Sequence, residues 1–383
     1  MKVLSLFANI GVAEAFLKEL GVDVVLANEL IPRRAELYSK IYPDTQMICG
    51  DITDSRVYEH IISSAQREGV DIVMATPPCQ GISRAGKQNE DDQRNLLILP
   101  VLACIQDVLP RYALIENVAQ FNETTIKIDG QPVLIIDYIR KALGERYSIS
   151  VNIIDTKNYA VPQTRQRAII LLTRKDQKVY WELPTQEVGY VSVRDAIGDL
   201  PSLDPYVSDV SEEELLELFP GFFVKRTEGM KVSRWHTPPA HIKRQVVTML
   251  HTPTGKTAFD NPKYIPIKAD GTPVKGYKST YRRLRWDDPA STVTMDNRKI
   301  SSQNNVHPGR FIGTDSQGDV LYSDARALTL FELMRIMSLP DNWPLPYDAN
   351  EAFVRSVIGE GIPPLFIKKL FKQIIEVPNE QQD

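Results

Sequence analysis

Cysteine is scarce in this chain, with only Cys49, Cys79 and Cys104 among 383 residues. Three scattered thiols cannot build a disulfide scaffold, and none stands at metal-ligand spacing from a histidine. Free thiols in a reducing, cytoplasmic setting are therefore expected, and no metal. No apolar run approaches the roughly 18 residues of a membrane span. Met1-Lys2 leads straight into VLSLFANIG, without a charged leader, a long apolar core or a small-residue cleavage site. An unsecreted chain with no membrane partner is the expectation. Internal repeats and low-complexity tracts are missing as well. So is the G-x-G-x-x-G fingerprint, which leaves an NAD-dependent enzyme poorly supported.

What is present is ordinary globular composition, 43% hydrophobic and 25% charged, long enough for two or three domains. The net charge of −4 argues against a nucleic-acid partner only if it is spread evenly, and it is not. Residues 222–310 hold 17 Lys/Arg against 6 Asp/Glu, with four of the five histidines (His236, His241, His251, His307). Such a stretch is the expected electrostatic footprint for phosphates. On charge alone, a solvated basic surface is the alternative.

Over the first 175 residues, β-branched runs alternate with amphipathic stretches, the pattern of a parallel sheet covered by helices. KVLSLF, DVVLAN, TQMICG, DIVMAT and YALIEN read as five strands. VAEAFLKEL, AELYSKIY, RVYEHIISSAQ and NLLILPVLACIQDVL read as the helices between them. VLIIDYIRKAL then reads as a helix and YSISVNIID and RAIILLTR as strands, giving a sheet of six or seven members. From about Leu183 prolines become frequent, and an acidic SEEELLELF helix precedes the basic stretch, which has no strong period. ARALTLFELMRIMSLP restores helical order, and AFVRSVIGEGIPPLFIKKLFKQIIEV closes the chain as an apolar helix. The expected architecture is a catalytic domain of residues 1–182 and 342–383, with a smaller irregular domain, 183–341, inserted.

Ligands of such sheets bind at the carboxyl ends of the strands. The first strand runs into FANIG, a small-residue turn that lets a ligand approach the backbone. The second ends in Asn28-Glu29, an acid suited to ribose hydroxyls. The third ends in Gly50-Asp51-Ile52, a carboxylate and an apolar group suited to adenine. Each also reads as helix capping or surface charge. The fourth ends in TPPCQGIS and the fifth in Glu116-Asn117, so neighbouring strands bring the Cys79 thiol and the Glu116 acid to one rim. A thiol and an acid facing one pocket suit attack on an aromatic ring that must be protonated as it is attacked.

The ordered series PPCQ, ENV, PQTRQR, RALTLFELMRIMSLPDNW and GEGIPP resembles the DNA cytosine-5 methyltransferases of the bacterial modification type. The likeness runs from Phe7 to about Leu365, and only the basic middle lacks a family pattern. It implies a Rossmann-like S-adenosylmethionine-dependent methyltransferase fold, with the insert reading double-stranded DNA. It implies cofactor contacts at Phe7, Gly11, Glu29, Asp51, Ile52, Pro78, Leu97, Glu360 and Ile362. Cys79 becomes the nucleophile, Glu116 the acid, and Arg165 and Arg167 the groups that hold a flipped cytosine and nearby backbone. Gln80 and Ser83 fall in a loop closing over DNA, while Arg226, Arg234, Arg244, Arg282, Arg283 and Arg285 are candidates for phosphate or base contacts.

Four positions depart from the family's usual pattern. Asn9 and Ala160 stand where it has glycine, Ser5 where it has an acid, and Glu360 where GNxVP has asparagine. Asn9 is expected to take the left-handed backbone that glycine would have taken, since Asn tolerates it best. The resemblance further implies a cytoplasmic monomer, the modification enzyme of a restriction-modification system whose endonuclease shares its site. A transfer-RNA methyltransferase of the same fold is the alternative within the enzyme class, with a large insert against it. A catalytically inactive module that binds DNA and cofactor is the other.

Overall fold

The computed structural model describes residues 1–78 and 93–375. Seven strands form one sheet: β1 (Lys2–Leu6), β2 (Asp23–Glu29), β3 (Gln46–Cys49), β4 (Ile72–Ala75) and β5 (Tyr112–Val118), then β8 (Tyr147–Asp155) and β9 (Gln166–Arg174). Its order is β3-β2-β1-β4-β5-β9-β8, and β9 alone runs antiparallel to both its neighbours. The order reverses between β1 and β4, which opens a crevice at their carboxyl ends.

Helices cover both faces, and the apolar periodicity of each explains why. On one face, α2 (Ser55–Glu68), α3 (Ile98–Val108) and α4 (Ile135–Leu143) bury residues such as Ile61, Val101, Ile105 and Ile139 in one core. Asp54 caps α2 by accepting from the backbone N–H groups of Arg56 and Val57, and Gly69 closes it in the left-handed conformation. On the other face lie α1 (Pro32–Ile41) and α11 (Pro364–Ile375), the latter contributing Phe366, Ile367, Leu370 and Phe371 to a second core with Trp181.

Three expectations are corrected here. VAEAFLKEL is not a helix. After Gly11 the chain makes i→i+3 bonds (Leu17 N–H to Glu14, Leu20 N–H to Leu17) and only Lys18–Leu20 form a short 3₁₀ turn, because Glu14 is drawn inside. The closing helix is two, α10 (Glu351–Ile358) and α11, parted by Gly359–Pro363. A hairpin unforeseen in the sequence, β6 (Thr125–Ile128) and β7 (Gln131–Leu134), turns on Asp129-Gly130, both with positive φ.

The segment beyond β9 carries short elements. They are α5 (Val193–Ile197), α6 (Glu212–Leu218), α7 (Phe222–Val232), α8 (Lys243–Leu250) and α9 (Leu330–Ile336), with the two-stranded pairs β10 (Tyr206–Val207) and β11 (Ala240–His241), and β12 (Phe311–Thr314) and β13 (Val320–Tyr322). A small core of its own includes Phe222, Met249, Tyr281 and Val306. A separate core joins α5, α9 and α10 to Ile10, Val12 and Leu37 beside the crevice, so the insert and the sheet share apolar packing.

Candidate active site

The crevice is built from strand ends. After β1 the chain turns through Phe7, Asn9 and Gly11, all left-handed (φ 59°, 51° and 78°). Asn9 thus takes the conformation expected of it. Ala160, at the other position where glycine was expected, does the same (φ 62°). A Cβ on Gly11 would lie 2.1 Å from the Tyr42 ring, whose hydroxyl donates to the Gly11 carbonyl, so a side chain is excluded at this turn.

Glu29, at the end of β2, is buried. Its two carboxylate oxygens accept the backbone N–H groups of Asn9 and Ile31, each at 2.9 Å. Asp51 is exposed beyond β3, where it accepts from Thr53 N–H and hydroxyl, while Ile52 is buried beneath it. Leu97 starts α3 and is half-buried, as is Pro78. Ile362 is buried in the core with α11. Ser5 sits beneath the turn, buried beside Glu14. Burial pushes the Glu14 carboxyl up to about 7, against the lowering effect of the nearby Ser5 and Tyr38 hydroxyls.

Glu360 is forked onto the Arg34 guanidinium. Nη1 lies 2.8 Å from Oε2, Nη2 donates at 2.8 Å to Oε1, and Asn9 Nδ2 donates at 3.3 Å to Oε2. Burial and the neighbouring Glu29 push Glu360 up, and Arg34 opposes them. The Asn9 side-chain oxygen is buried with no partner.

At the other side of the crevice, Glu116 on β5 faces Ile169 of β9 across the antiparallel pair. Arg167 is therefore its diagonal neighbour, and its Nε lies 2.8 Å from Glu116 Oε1 with both groups largely shielded from water. Asn117 donates from Nδ2 to the Pro77 carbonyl at 3.0 Å, which ties the end of β4 to the end of β5. Cys79, Gln80 and Ser83 follow Pro78 and lie outside the described residues.

Arg165 is buried and bonds to the backbone. Its guanidinium donates to the carbonyls of Val293 (3.1 Å), Gly359 (2.8 Å) and Glu360 (3.3 Å), pinning the insert and the α10–α11 junction to the start of β9. Burial and the Arg167 cation push it well below the usual arginine range.

A family model for C-5 cytosine-specific DNA methylases matches residues 1–376. The chain belongs to that family. It is 43% identical over 376 residues to the Type II methyltransferase M1.HgaI of Avibacterium volantium, with 97% of each chain covered. It is 25% identical over 381 residues to M1.HphI of Haemophilus parahaemolyticus, covering 98% of this chain and 86% of that one. Among solved structures, one described as a DNA modification methyltransferase of an Escherichia coli prophage superposes with a TM-score of 0.66 at 17% identity, covering 99% and 100% of the two chains. Spodoptera frugiperda DNMT2 gives 0.58 at 16% identity, with 97% and 99% covered. These two likenesses show the Rossmann-like methyltransferase fold.

This methylase distributes its insert's cations unevenly. Arg226 on α7, Arg244 on α8 and Arg285 are exposed, the last 3.5 Å from Asp288, and Arg282 is half-buried. Arg234 stacks between the rings of Trp235 (4.3 Å) and Tyr347 (3.6 Å). Arg283 does not reach the surface at all. Its guanidinium donates to the carbonyls of His307, Asp324 and Met249, of which the last two also accept the backbone N–H groups of Arg326 and Thr252. The four histidines of the basic stretch are buried too, and burial holds His236, His241 and His307 below the usual range, so these three add no positive charge at neutral pH. Beneath them lies a buried cluster, not legible from residue pattern, in which Arg326 bridges Asp324 and Glu332 at 2.8 Å.

Proposed function

We propose that this methylase transfers the methyl group of S-adenosylmethionine to carbon 5 of a cytosine flipped out of duplex DNA, through a covalent adduct with Cys79. The observation that carries the reading is the Glu116–Arg167 pair at the end of β5, tied through Asn117 to the Pro77-Pro78 segment that leads into Cys79.

The residues of the crevice fit the cofactor. The buried oxygen of Asn9 is without a donor, and Glu29 retains acceptor capacity for ribose hydroxyls. Phe7, Asp51, Ile52, Pro78 and Leu97 complete the rim, and Ile362 supports it from below. When bound, S-adenosylmethionine supplies an electrophilic methyl group on sulfur.

Carbon 5 of cytosine is a poor nucleophile until the ring is activated. The Cys79 thiolate adds to carbon 6, and Glu116 holds a proton at ring nitrogen N3, so that electron density collects at carbon 5. Arg167, alongside Glu116, faces the cytosine carbonyl oxygen with its remaining N–H groups. Arg165 acts on the backbone, by fixing the junction at Gly359 and Glu360 against β9. Carbon 5 so activated would take the methyl group, and once a base has accepted its proton Cys79 leaves and aromaticity returns. Flipping costs roughly a few kcal/mol, which contacts in the pocket offset.

Residues 183–341 form the unit that selects the sequence, with Arg226, Arg244, Arg282 and Arg285 among its cations for phosphates and bases, and Gln80 and Ser83 are further DNA contacts. The 43% identity to a Type II methyltransferase supports a place in a restriction-modification system, with a cognate endonuclease at the same sequence and the chain acting as a cytoplasmic monomer.

The test uses duplexes bearing 5-fluorocytosine, mapped first by methylation sequencing of DNA from cells making the protein. Fluorine cannot leave as the proton does, so wild-type protein with cofactor should be trapped covalently at the correct site, and Cys79→Ser should neither trap nor methylate. Near-normal turnover by Cys79→Ser would end the covalent reading.

A further inference from the structure

The densest basic run of the insert, residues 275–286, holds five cations, Lys275, Lys278, Arg282, Arg283 and Arg285, and no acid. It also holds three aromatic residues, and these part company in space. Tyr281 and Trp286 are buried in apolar cores, while Tyr277 is 77% exposed. Among the described residues the Tyr277 ring meets no other ring, and its hydroxyl has no hydrogen-bond partner.

A single aromatic at a surface carries little meaning by itself. This one stands on a turn that is held on every side. The Tyr277 carbonyl accepts both the backbone N–H (2.9 Å) and the hydroxyl (2.8 Å) of Thr280. Lys278 pairs with Asp260 at 2.9 Å, and the Asn304 N–H donates to the Ser279 carbonyl at 2.8 Å. Gly276 packs so closely on Phe259 that a Cβ there would come within 2.7 Å of the ring. A backbone already fixed leaves little ordering to lose on binding, and a tyrosine adds a large rigid surface with few rotatable bonds.

The same bonds say which way the turn faces. Asn304 shares the wall of a small cavity with Thr292 and Thr294. The Thr292 hydroxyl donates at 2.7 Å to the carbonyl of Thr164, three residues before the Arg167 that pairs with Glu116. The turn is thus joined through Asn304 and Thr292 to the strand end that carries the catalytic pair, on the side a duplex must occupy to deliver its cytosine there. Lys275 beside it is exposed and has no ion-pair partner among the described residues, so it is available to a phosphate. An uncharged ring gains nothing from phosphates. Its apolar surface is covered only if a base comes against it.

We propose that Tyr277 is a specificity-determining residue whose ring contacts a base of the recognition sequence outside the target cytosine, with Lys275 on a neighbouring phosphate. The assignment rests on the DNA methylation reading above and adds to it a particular residue that reads sequence.

The test titrates the full chain, with S-adenosylhomocysteine present, against a duplex carrying its mapped site, duplexes changed at single base pairs of that site, and random duplex, at several salt concentrations. Tyr277→Ala should lose roughly ten-fold in affinity for the proper site and become nearly indifferent to one of the base-pair changes, while random duplex stays within about two-fold. Tyr277→Phe keeps the ring and should behave as the wild type. Lys275→Ala should weaken every duplex alike and lower the salt slope by about 1. A Tyr277→Ala chain that keeps full discrimination, or that loses affinity equally for all duplexes, would overturn the assignment, as would a Tyr277→Phe chain impaired as much as Tyr277→Ala. A wild-type chain with no preference for its own site would instead overturn the DNA reading on which it rests.

Discussion

Glu14 offers the sharpest quantitative test of how the crevice is built. Its carboxyl is buried beneath the turn, one oxygen lacks a hydrogen-bond partner, and burial raises it from the ordinary 4.5 to about 7. The sign follows from where the proton is held. Below pH 4.5 the group is protonated in both folded and unfolded chains and has no effect on stability. Between 4.5 and 7 the folded chain keeps a proton that the unfolded chain releases, so stability falls as pH rises, and the full penalty is present above 7. At about 1.36 kcal/mol per pH unit, the loss between pH 5 and pH 8 works out at about 2.5 kcal/mol. Glu14→Gln keeps the shape but has no charge. Urea denaturation of both proteins at pH 5, 6, 7 and 8 should therefore show the variant gaining on the wild type by about 2.5 kcal/mol, or ~3 °C in melting midpoint for a chain of this length. Every other titrating group cancels in the difference. Parallel pH profiles would refute the reasoning, because they would mean Glu14 ionises without cost in the fold.

Gly11→Ala should cost about 2 kcal/mol or more and depress cofactor affinity, since its Cβ would fall 2.1 Å from the Tyr42 ring at a left-handed φ; a melting curve and a titration check both. Arg283→Met should destabilise by about 2 kcal/mol, leaving the His307 carbonyl unmatched while those of Met249 and Asp324 keep their backbone donors. Methylation mapping of the surviving Arg283→Met protein should give an unchanged target sequence, whereas a change in sequence would put Arg283 back among the base-reading groups.

The sheet was largely legible because its strands are short β-branched runs and its turns are marked by acids and glycines. All seven strands end within one residue of where the runs read for them end. Glu116 was legible as an acid at a strand end, and Arg167 as its neighbour through the family's motif. What failed to read were places where a buried polar group overrides local pattern. VAEAFLKEL has helical spacing, but a helix there would point Glu14 away from Ser5 and Tyr38. The histidines and Arg283 sit in a stretch whose charge is conspicuous, and charge counts do not tell a guanidinium on three carbonyls from one in solvent. The hairpin at Asp129-Gly130 carried a readable signal, a two-residue turn between extended runs.

The departures from the family's pattern are better understood in pairs than singly. Taken alone, Ser5 removes an acid from the sheet edge and Glu360 adds one to the cofactor rim, and each would count against a working site. In space Ser5 lies near the buried acid Glu14, and Glu360 lies against Arg34 and Asn9, so the carboxylate at 360 comes with its own cation. Asn9 belongs to the second pair for two reasons at once. Its backbone takes the left-handed turn that glycine would have taken, and its amide reaches Glu360. A glycine there would make the turn equally well and leave Glu360 one donor short. The conformational demand at position 9 and the chemical demand at position 360 are thus met by the same residue, which is why neither substitution is intelligible from its own position in the sequence.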